Sequence, residues 1–285
     1  MEYGLKNPFR FYDDVSKQNR YFDYVHGNLR TWRLVTDIYH VPTFQIQVDS
    51  AITAASDVVV YLVDAADDSE VNITSKFTWD TDLYIETFTS YNYLVYNRSQ
   101  NLTSNLDEGT YYLKISTTNP SAPPSYLYFY SEVFNVRSIT GYTVITYYSD
   151  MDIDGIDYTN GAKAQYQNKI IMDNKLFKPK YITEEEGTED GEGNFLATFK
   201  RRVKNYKLLF YAPEYIADAI SLIPLHEHIS ITTEVNESFE EELAVIEDSF
   251  VVTGMEWNDG KGFAKITVEF RTGSVIKTNF ANNIT

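Results

Sequence analysis

Alternating apolar and polar residues are the dominant pattern along this chain. TFQIQV places Phe44, Ile46 and Val48 on one face, with the period of two that is typical of a half-buried strand. VVVYLV, residues 58–63, is a fuller apolar run and predicts a central strand. Asp, Asn, Gly or Pro residues separate further runs of this kind. The other strands predicted up to residue 136 are VNITSKFTW, LYIETFTS, NYLVYN, TYYLKIS and YLYFYSEVFNV.

The succession of short strands predicts an antiparallel β-sandwich for the first part of the chain. Asp107, Gly109 and Tyr111 have the spacing D-x-G-x-Y, which resembles the tyrosine corner of immunoglobulin-like sandwiches. That family's cysteine position is occupied by Leu113, so such a domain would lack the inter-sheet disulfide. The alternative is that Gly109 simply ends a turn before a strand. An immunoglobulin-like topology is therefore one candidate for the sandwich.

A single helix is predicted near residues 213–223, in APEYIADAISLI. Pro213 suits the first helical turn, and Pro224 stops the helix. The apolar residues that share one face at helical spacing are Ile216, Ala219, Ile220 and Ile223. The predicted fold class is therefore mainly β with minor α.

Three segments are predicted along the chain. Residues 1–30 are polar and aromatic without a clean period and predict an extended arm or cap. Residues 31–137 predict the β-sandwich, and residues 138–285 predict a β-rich α+β assembly domain that carries the helix.

Composition narrows the classes of function. The chain has 24 Lys and Arg against 41 Asp and Glu, a formal net charge of -17, which argues against a nucleic-acid partner. It has no cysteine, so disulfides, zinc–thiolate sites and thiol nucleophiles are excluded. No apolar run approaches the ~20 residues of a membrane span. The opening MEYGLKNPFRFYDDV lacks the features of a secretory signal, so we expect synthesis in the cytosol.

The stretch SDMDIDGIDY begins like a calcium loop, with Asp150, Asp152 and Asp154 at alternate positions. Counted from Asp150, position twelve should be a bidentate glutamate, but it is Gly161. The preceding TVITYY predicts a strand, whereas a calcium loop of this type follows a helix. We therefore predict a solvated acidic turn, with a weak calcium site at residues 150–157 as the alternative.

His226 and His228 could form a metal-binding pair, but no third ligand is indicated. Because a helix ends just before them, we predict instead that they interact with its negative end. The sequence contains no nucleophile elbow, phosphate loop or dinucleotide fingerprint. We expect no catalytic residue, no cofactor and no enzymatic activity.

Two charged segments predict an interface. FKRRVKN and the lysine that follows it form a basic strand, while EEEGTEDGEGN, residues 184–194, predicts a mobile acidic loop. We hypothesise that the two meet across a subunit boundary in a ring and set its register. Reversing Lys200, Arg201 and Arg202 to glutamate should then block assembly and leave the monomer folded. The proposed interface residues are Lys200, Arg201, Arg202, Lys204, Lys207, Glu184, Glu185 and Glu186.

Aromatic clusters allow a second kind of partner. SYNYLVYN and SYLYFYSEVF could line a sugar-binding face, because aromatic planes stack on the apolar faces of sugars. Tyrosine is also enriched at protein interfaces and in half-buried sheets, and this favours a protein interface over a glycan site.

GTYYLKIS followed by YSEVFNV is similar to strand pairs in tail and baseplate proteins of phages that infect Bacteroides and related bacteria. From ITYYSDMDIDGIDY through YQNKIIMDNKL to YAPEYIADAISLIPLHEHISI, the chain also resembles virion proteins of these phages, including crAss-like phages. The resemblance carries no catalytic residues. It implies a non-enzymatic virion protein, a tail hub, ring or adaptor subunit assembled in the host cytoplasm with copies of itself and other tail or connector proteins. The alternative is a carbohydrate- or receptor-binding module at a tail tip or cell surface.

Overall fold

A computed structural model describes the protein over residues 2–3, 8–17, 33–87, 91–97, 101–118, 126–138, 142–151, 158, 166–172, 176–236, 239–246, 248–258 and 263–279. The chain divides into two compact units, Met1–Asp173 and Asn174–Thr285. The predicted fold class, mainly β with minor α, is confirmed. No helix in the described part of the chain is long and apolar enough to cross a membrane.

The described part of the first unit is built from short strands and 3-10 turns. The 3-10 turns in that part are Val15–Lys17, Ala55–Asp57 and Thr74–Lys76. Its strands are β1 (Glu2–Tyr3), β2 (Phe11–Tyr12), β3 (Leu34–Thr36), β4 (Phe44–Val48), β5 (Val58–Asp64), β6 (Glu70–Asn72), β7 (Leu83–Thr87), β8 (Asn92–Tyr96), β9 (Gly109–Thr118), β10 (Tyr126–Ser131), β11 (Phe134–Val136), β12 (Thr143–Tyr148) and β13 (Asn168–Met172).

β9 is the central strand of the largest sheet. One of its edges pairs with β10 and then with β11, and the other pairs with β5. The sheet continues outward from β10 to β2 and β1, from β11 to β3, and from β5 to β6. β3 runs parallel to β11, and the other strand pairs of this sheet that the structure describes are antiparallel. A second, three-stranded sheet has the order β4–β8–β7.

Aromatic rings form the core between these two sheets. Phe11 on β2 meets Phe44 on β4 with ring centroids 5.0 Å apart. Phe44 continues to Tyr96 at 5.7 Å, and Tyr96 to Phe77 at 5.3 Å. All four rings are buried, so sheet-on-sheet packing of the kind expected for a sandwich holds this unit together. The finer expectation of an immunoglobulin-like topology stays a prediction.

Two segments differ from the predicted organisation. Residues 8–12 were assigned to an extended arm or cap, but Phe9 and Phe11 are buried and β2 pairs with β10. The division between the units also falls later than the boundary predicted near residues 137–140. β12 and β13 fall in the first unit, where β13 contacts β3 and the Lys169 amide donates a hydrogen bond to the Thr43 hydroxyl.

The second unit combines long strands with the one helix. A 3-10 turn, Ile223–Leu225, follows the helix directly. Its other elements are β14 (Lys180–Glu189), β15 (Phe195–Pro213), α1 (Glu214–Leu222), β16 (His228–Asn236), β17 (Phe239–Ala244), β18 (Val251–Asn258) and β19 (Phe263–Asn279). The order β14–β15–β19–β18 gives an antiparallel sheet, and β16 pairs with β17.

Helix α1 covers one face of that sheet, as its apolar spacing predicts. It buries Ile216, Ala217, Ala219 and Ile220, and it contacts β15, β18 and β19. The strands alternate accordingly, with one face of β15 and β19 turned inward. The buried residues of that face are Leu208, Phe210, Ala212, Ala264, Ile266, Val268 and Phe270.

Candidate functional site

The predicted acidic and basic segments meet within one chain. β14 and the first half of β15, residues 195–205, form an antiparallel arm that we call the charged ribbon. Its register places Glu184 opposite Arg201 and Glu185 opposite Lys200. The sequence-based hypothesis put this meeting across a subunit boundary. In the structure, the backbone register already places these oppositely charged residue types opposite each other inside the subunit.

Residues 184–189 are a strand, where a mobile loop was expected, and only residues 190–194 form the connecting turn. Asp190 organises this turn, because its carboxylate accepts hydrogen bonds from the amides of Glu192 and Asn194. The hydrogen bonds from Asn194, with those from Glu192 and Gly193, hold the pKa of Asp190 below its usual value. Gly193 has φ +83°, a conformation that glycine adopts without strain.

Strand β14 of the charged ribbon is accessible to solvent. Its described side chains are all exposed or half-buried, including Tyr181, which is 53% exposed. On the facing strand Val203 is buried, and β15 continues beyond the ribbon to the buried Tyr206 and Leu208. β15 thus runs from a solvent-exposed arm into the packed sheet under α1.

The described charged side chains have partners within the second unit. Glu184 accepts a hydrogen bond from Arg271 on β19 at 2.8 Å. Arg202 lies over the Tyr181 ring, 4.4 Å from its centroid. Lys207 is farther along and pairs with Glu269 at 3.7 Å. Lys204 is half-buried and Glu185 is exposed, while the side chains of Lys200, Arg201 and Glu186 lie outside the described set.

Exposed ion pairs of this kind contribute only about 0–1 kcal/mol each. The charges are therefore weak determinants of this unit's stability and remain displayed on its surface. Seven of the proposed interface residues lie on the charged ribbon, and Lys207 lies beyond it in the sheet.

The D-x-G-x-Y motif lies at the entry to β9. The Tyr111 ring folds back over Gly109, so a Cβ atom added at Gly109 would lie 2.6 Å from the Tyr111 hydroxyl oxygen. This close approach explains the glycine. In a tyrosine corner the tyrosine hydroxyl forms a hydrogen bond with the backbone. Within the described part of the chain, the Tyr111 hydroxyl does not form such a bond. Leu113, at the family's cysteine position, is fully buried.

The structure describes the histidine pair but only part of the candidate calcium loop. Residues 152–157 of the candidate calcium loop lie outside the described residues. The Nδ1 atom of His226 lies 3.0 Å from the Leu222 carbonyl oxygen, the contact predicted for a histidine at the helix end. Among the residues that the structure describes, no three His, Asp or Glu side chains are arranged to hold a metal ion.

The two aromatic clusters have opposite environments. Most of NYLVYN is β8, where Leu94, Val95 and Tyr96 are fully buried and belong to the core. SYLYFYSEVF contains β10, where Tyr128 is 40% exposed. In the first cluster Tyr91 and Tyr93 are half-buried, whereas Tyr128 of the second cluster is exposed.

Tyr128 belongs to a surface group that we call the tyrosine platform, formed by Tyr61, Lys114, Tyr128 and Tyr130 with Glu70 beside it. The register places Tyr61 on β5 opposite Lys114 on β9, and Lys114 opposite Tyr130 on β10. The Tyr128 and Tyr130 rings are 6.4 Å apart with planes tilted by 32°. Of this platform, the sequence analysis identified only the tyrosines on β10 as a possible binding surface. The other members come from strands that are far away in the chain.

Lys114 is held at the centre of the platform. Its Nζ atom lies 2.7 Å from a Glu70 carboxylate oxygen, and 5.1 and 5.6 Å from the ring centroids of Tyr128 and Tyr61. Partial burial lowers the pKa of Lys114, but the hydrogen bond to Glu70 and the charge interactions with Glu70, Tyr130 and Tyr128 together outweigh it, and the pKa is raised overall. The platform therefore carries an ordered, locally neutral ion pair.

Other tyrosines form a buried polar cluster beside β7 and β8. Tyr158 and Tyr166 pack against Tyr84 and Val95. Asn168 joins the two, since its Nδ2 atom donates to the Tyr158 hydroxyl at 2.6 Å and its Oδ1 atom accepts from Tyr166 at 3.2 Å. Burial raises the pKa of both tyrosines well above the ordinary value. Satisfied hydrogen bonds make this cluster a structural network.

Comparisons with protein-family models, with curated proteins and with solved structures give no significant match to this chain.

Proposed function

We propose that this chain is a non-enzymatic structural protein of a tailed bacteriophage virion, assembled in the host cytoplasm. It would serve as a hub, ring or adaptor subunit of the tail and contact copies of itself and other tail or connector proteins. The placement in a phage tail draws on the sequence resemblance to Bacteroides phage proteins.

The charged ribbon is the observation that supports an assembly role. β14 has 10 residues and so extends about 33 Å, yet it buries no described side chain fully. The strand that faces it, β15, also pairs with β19 from Phe199 onward, so β14 is an exposed outer strand on an anchored sheet and gains from contact with a neighbour. β14 is the outer strand of its sheet in the described part of the chain. Its free backbone groups can pair with an added strand.

Shortening the ribbon tests this role. Residues 184–201 are replaced by Asn-Gly, which joins Thr183 to its cross-strand partner Arg202 through a two-residue turn. We expect the wild-type chain to form oligomers at micromolar concentration and the shortened chain to stay monomeric, as measured by native mass spectrometry and light scattering. The packed sheet and α1 should be retained, as checked by circular dichroism.

A matched control replaces only residues 190–194 with Asn-Gly and keeps the whole ribbon. It should assemble as the wild type does. A wild-type chain that stays monomeric, or a shortened chain that still assembles, contradicts the proposed role.

A further inference from the structure

In the tyrosine platform, Tyr61 and Tyr130 also support the fold, because they pack against a buried cluster of Val63, Tyr112 and Val133. The four members of the platform project from the face of the largest sheet opposite the buried row of Val60, Leu113 and Ile115. Tyr128 leaves 40% of its surface exposed. The Tyr128 ring therefore offers an accessible aromatic surface beside its contacts with Lys114 and Tyr130.

The chemistry of the platform restricts that partner. Tyr128 and Tyr130 present neighbouring, moderately tilted aromatic surfaces. Beside them, the Lys114 ammonium and the Glu70 carboxylate offer a hydrogen-bond donor and an acceptor 2.7 Å apart. Apolar planes beside paired donors and acceptors match a sugar, whose ring has an apolar C–H face and a rim of hydroxyl groups.

Charge restricts the partner further. Glu70 balances the one cation at the centre of the platform, and the chain as a whole has a net charge of -17. A polyanion would meet no net positive field here and would be repelled at long range. A neutral ligand has neither disadvantage.

The platform is also preorganised. Lys114 is held by Glu70 and by two ring contacts, and its side chain is only 19% exposed. A flexible lysine would lose rotamer entropy on binding, and this one has already lost most of it on folding.

We propose that the tyrosine platform binds a neutral oligosaccharide, with a sugar ring stacked on Tyr128 and its hydroxyl groups bonded to Lys114 and Glu70. This activity belongs to the first unit and is independent of the assembly role proposed for the second. The chain would thereby combine a place in a multi-subunit structure with contact to a glycan.

A panel of neutral oligosaccharides of glucose, mannose, galactose, xylose and N-acetylglucosamine tests this inference, first on an array and then by titration calorimetry. We expect at least one of them to bind. Tyr128→Ala should weaken that binding about tenfold or more, since it removes a whole stacking surface. Tyr128→Phe keeps the ring and should bind within about threefold of wild type, a free-energy change well below 1 kcal/mol.

Tyr211 supplies the matched control, because it is an exposed tyrosine on the second unit, at 60% exposure. Tyr211→Ala should bind the oligosaccharide as the wild type does. The inference is overturned if no oligosaccharide of the panel binds, or if the Tyr128 and Tyr211 variants lose binding equally. It is also overturned if Tyr128→Ala changes the oligomeric mass and leaves glycan binding intact, because the platform is then a protein contact. The assembly role is measured separately by the ribbon variants, so either proposal can fail alone.

Discussion

Reversing one charge on the ribbon separates a contact within the chain from a contact between chains. Lys200 and Glu185 are cross-strand partners, so Lys200→Glu places two carboxylates opposite each other. An opposite-charge pair contributes roughly 0.2–1 kcal/mol and a like-charge pair costs a similar amount, so the ribbon should lose about 0.4–2 kcal/mol. The core of the second unit should change much less, because Tyr206 and Leu208 are buried beyond the ribbon.

Hydrogen exchange measures this loss directly. Local opening of the ribbon limits exchange of its backbone amides, so 0.4–2 kcal/mol corresponds to roughly twofold to thirtyfold faster exchange in residues 180–189. The double variant Glu185→Lys with Lys200→Glu restores opposite charges, and its exchange should return to within about twofold of wild type. Molar salt should shrink the difference between the variants, since the Debye length falls to about 3 Å.

Assembly provides the second measurement on the same proteins. In the double variant the ribbon is intact, but its charge pattern is inverted at these two positions. If a neighbouring subunit forms ion pairs with these two residues, both the single and the double variant should assemble less well than wild type, as measured by light scattering. Full recovery of assembly by the double variant would show that this pair acts only within the chain. Unchanged amide exchange in Lys200→Glu would refute the cross-strand argument itself.

Three further predictions concern the first unit. Phe44→Ala should lower its free energy of unfolding by about 3–5 kcal/mol in urea, while the same change at exposed Tyr39 should have little effect. Gly109→Ala should destabilise by about 1 kcal/mol through collision with the Tyr111 ring, and should be neutral or stabilising when Tyr111 is also alanine; equal effects in both backgrounds would contradict the steric account. Tyr166 has a raised pKa, so the folded state holds a proton that the unfolded state releases above pH ~10, and stability should fall with rising pH by about 1.4 kcal/mol per pH unit for this residue. Tyr166→Phe should flatten the urea-derived stability profile above pH ~10 by that slope, and an unchanged slope would contradict the assignment.

Local periodicity predicted elements well where one face of the element is buried. The helix spacing of Ile216 and Ile220 gave α1 correctly, because those residues pack on the sheet. The apolar run at residues 58–63 gave β5 for the same reason. The spacing of apolar residues reflects which side chains are buried, and the structure confirms that these side chains are buried.

The run VNITSKFTW shows where periodicity is insufficient. Only its first two residues fall in β6, and a 3-10 turn follows at Thr74–Lys76. The Thr74 amide donates to the Asn72 side chain at 3.0 Å, and the Val60 amide donates to the Thr74 hydroxyl at 2.8 Å. Hydrogen bonds from side chains to the backbone thus replace the backbone hydrogen bonds of a strand pair here. Strand propensity does not take this competition into account.

The sites depended on pairing that no local pattern contains. The tyrosine platform joins β5, β9 and β10, whose register follows from the whole sheet. The acidic strand of the charged ribbon, residues 184–189, was predicted by composition to be part of a loop, because acidic and glycine-rich segments are usually solvated. Its strand character comes from the facing basic strand, which lies beyond the turn at residues 190–194.

This correction changes the energetics of the proposed assembly. A mobile segment spanning residues 184–194 would have to be ordered on binding, at roughly 1–2 kcal/mol of backbone entropy per residue. Over its eleven residues that would require about 10–20 kcal/mol from the interface. The ribbon is already paired with β15, and β15 is anchored by buried residues such as Phe210 beneath α1. Most of that ordering has therefore occurred on folding, so a modest contact through the exposed faces or free edge of β14 is enough to hold a neighbour in register.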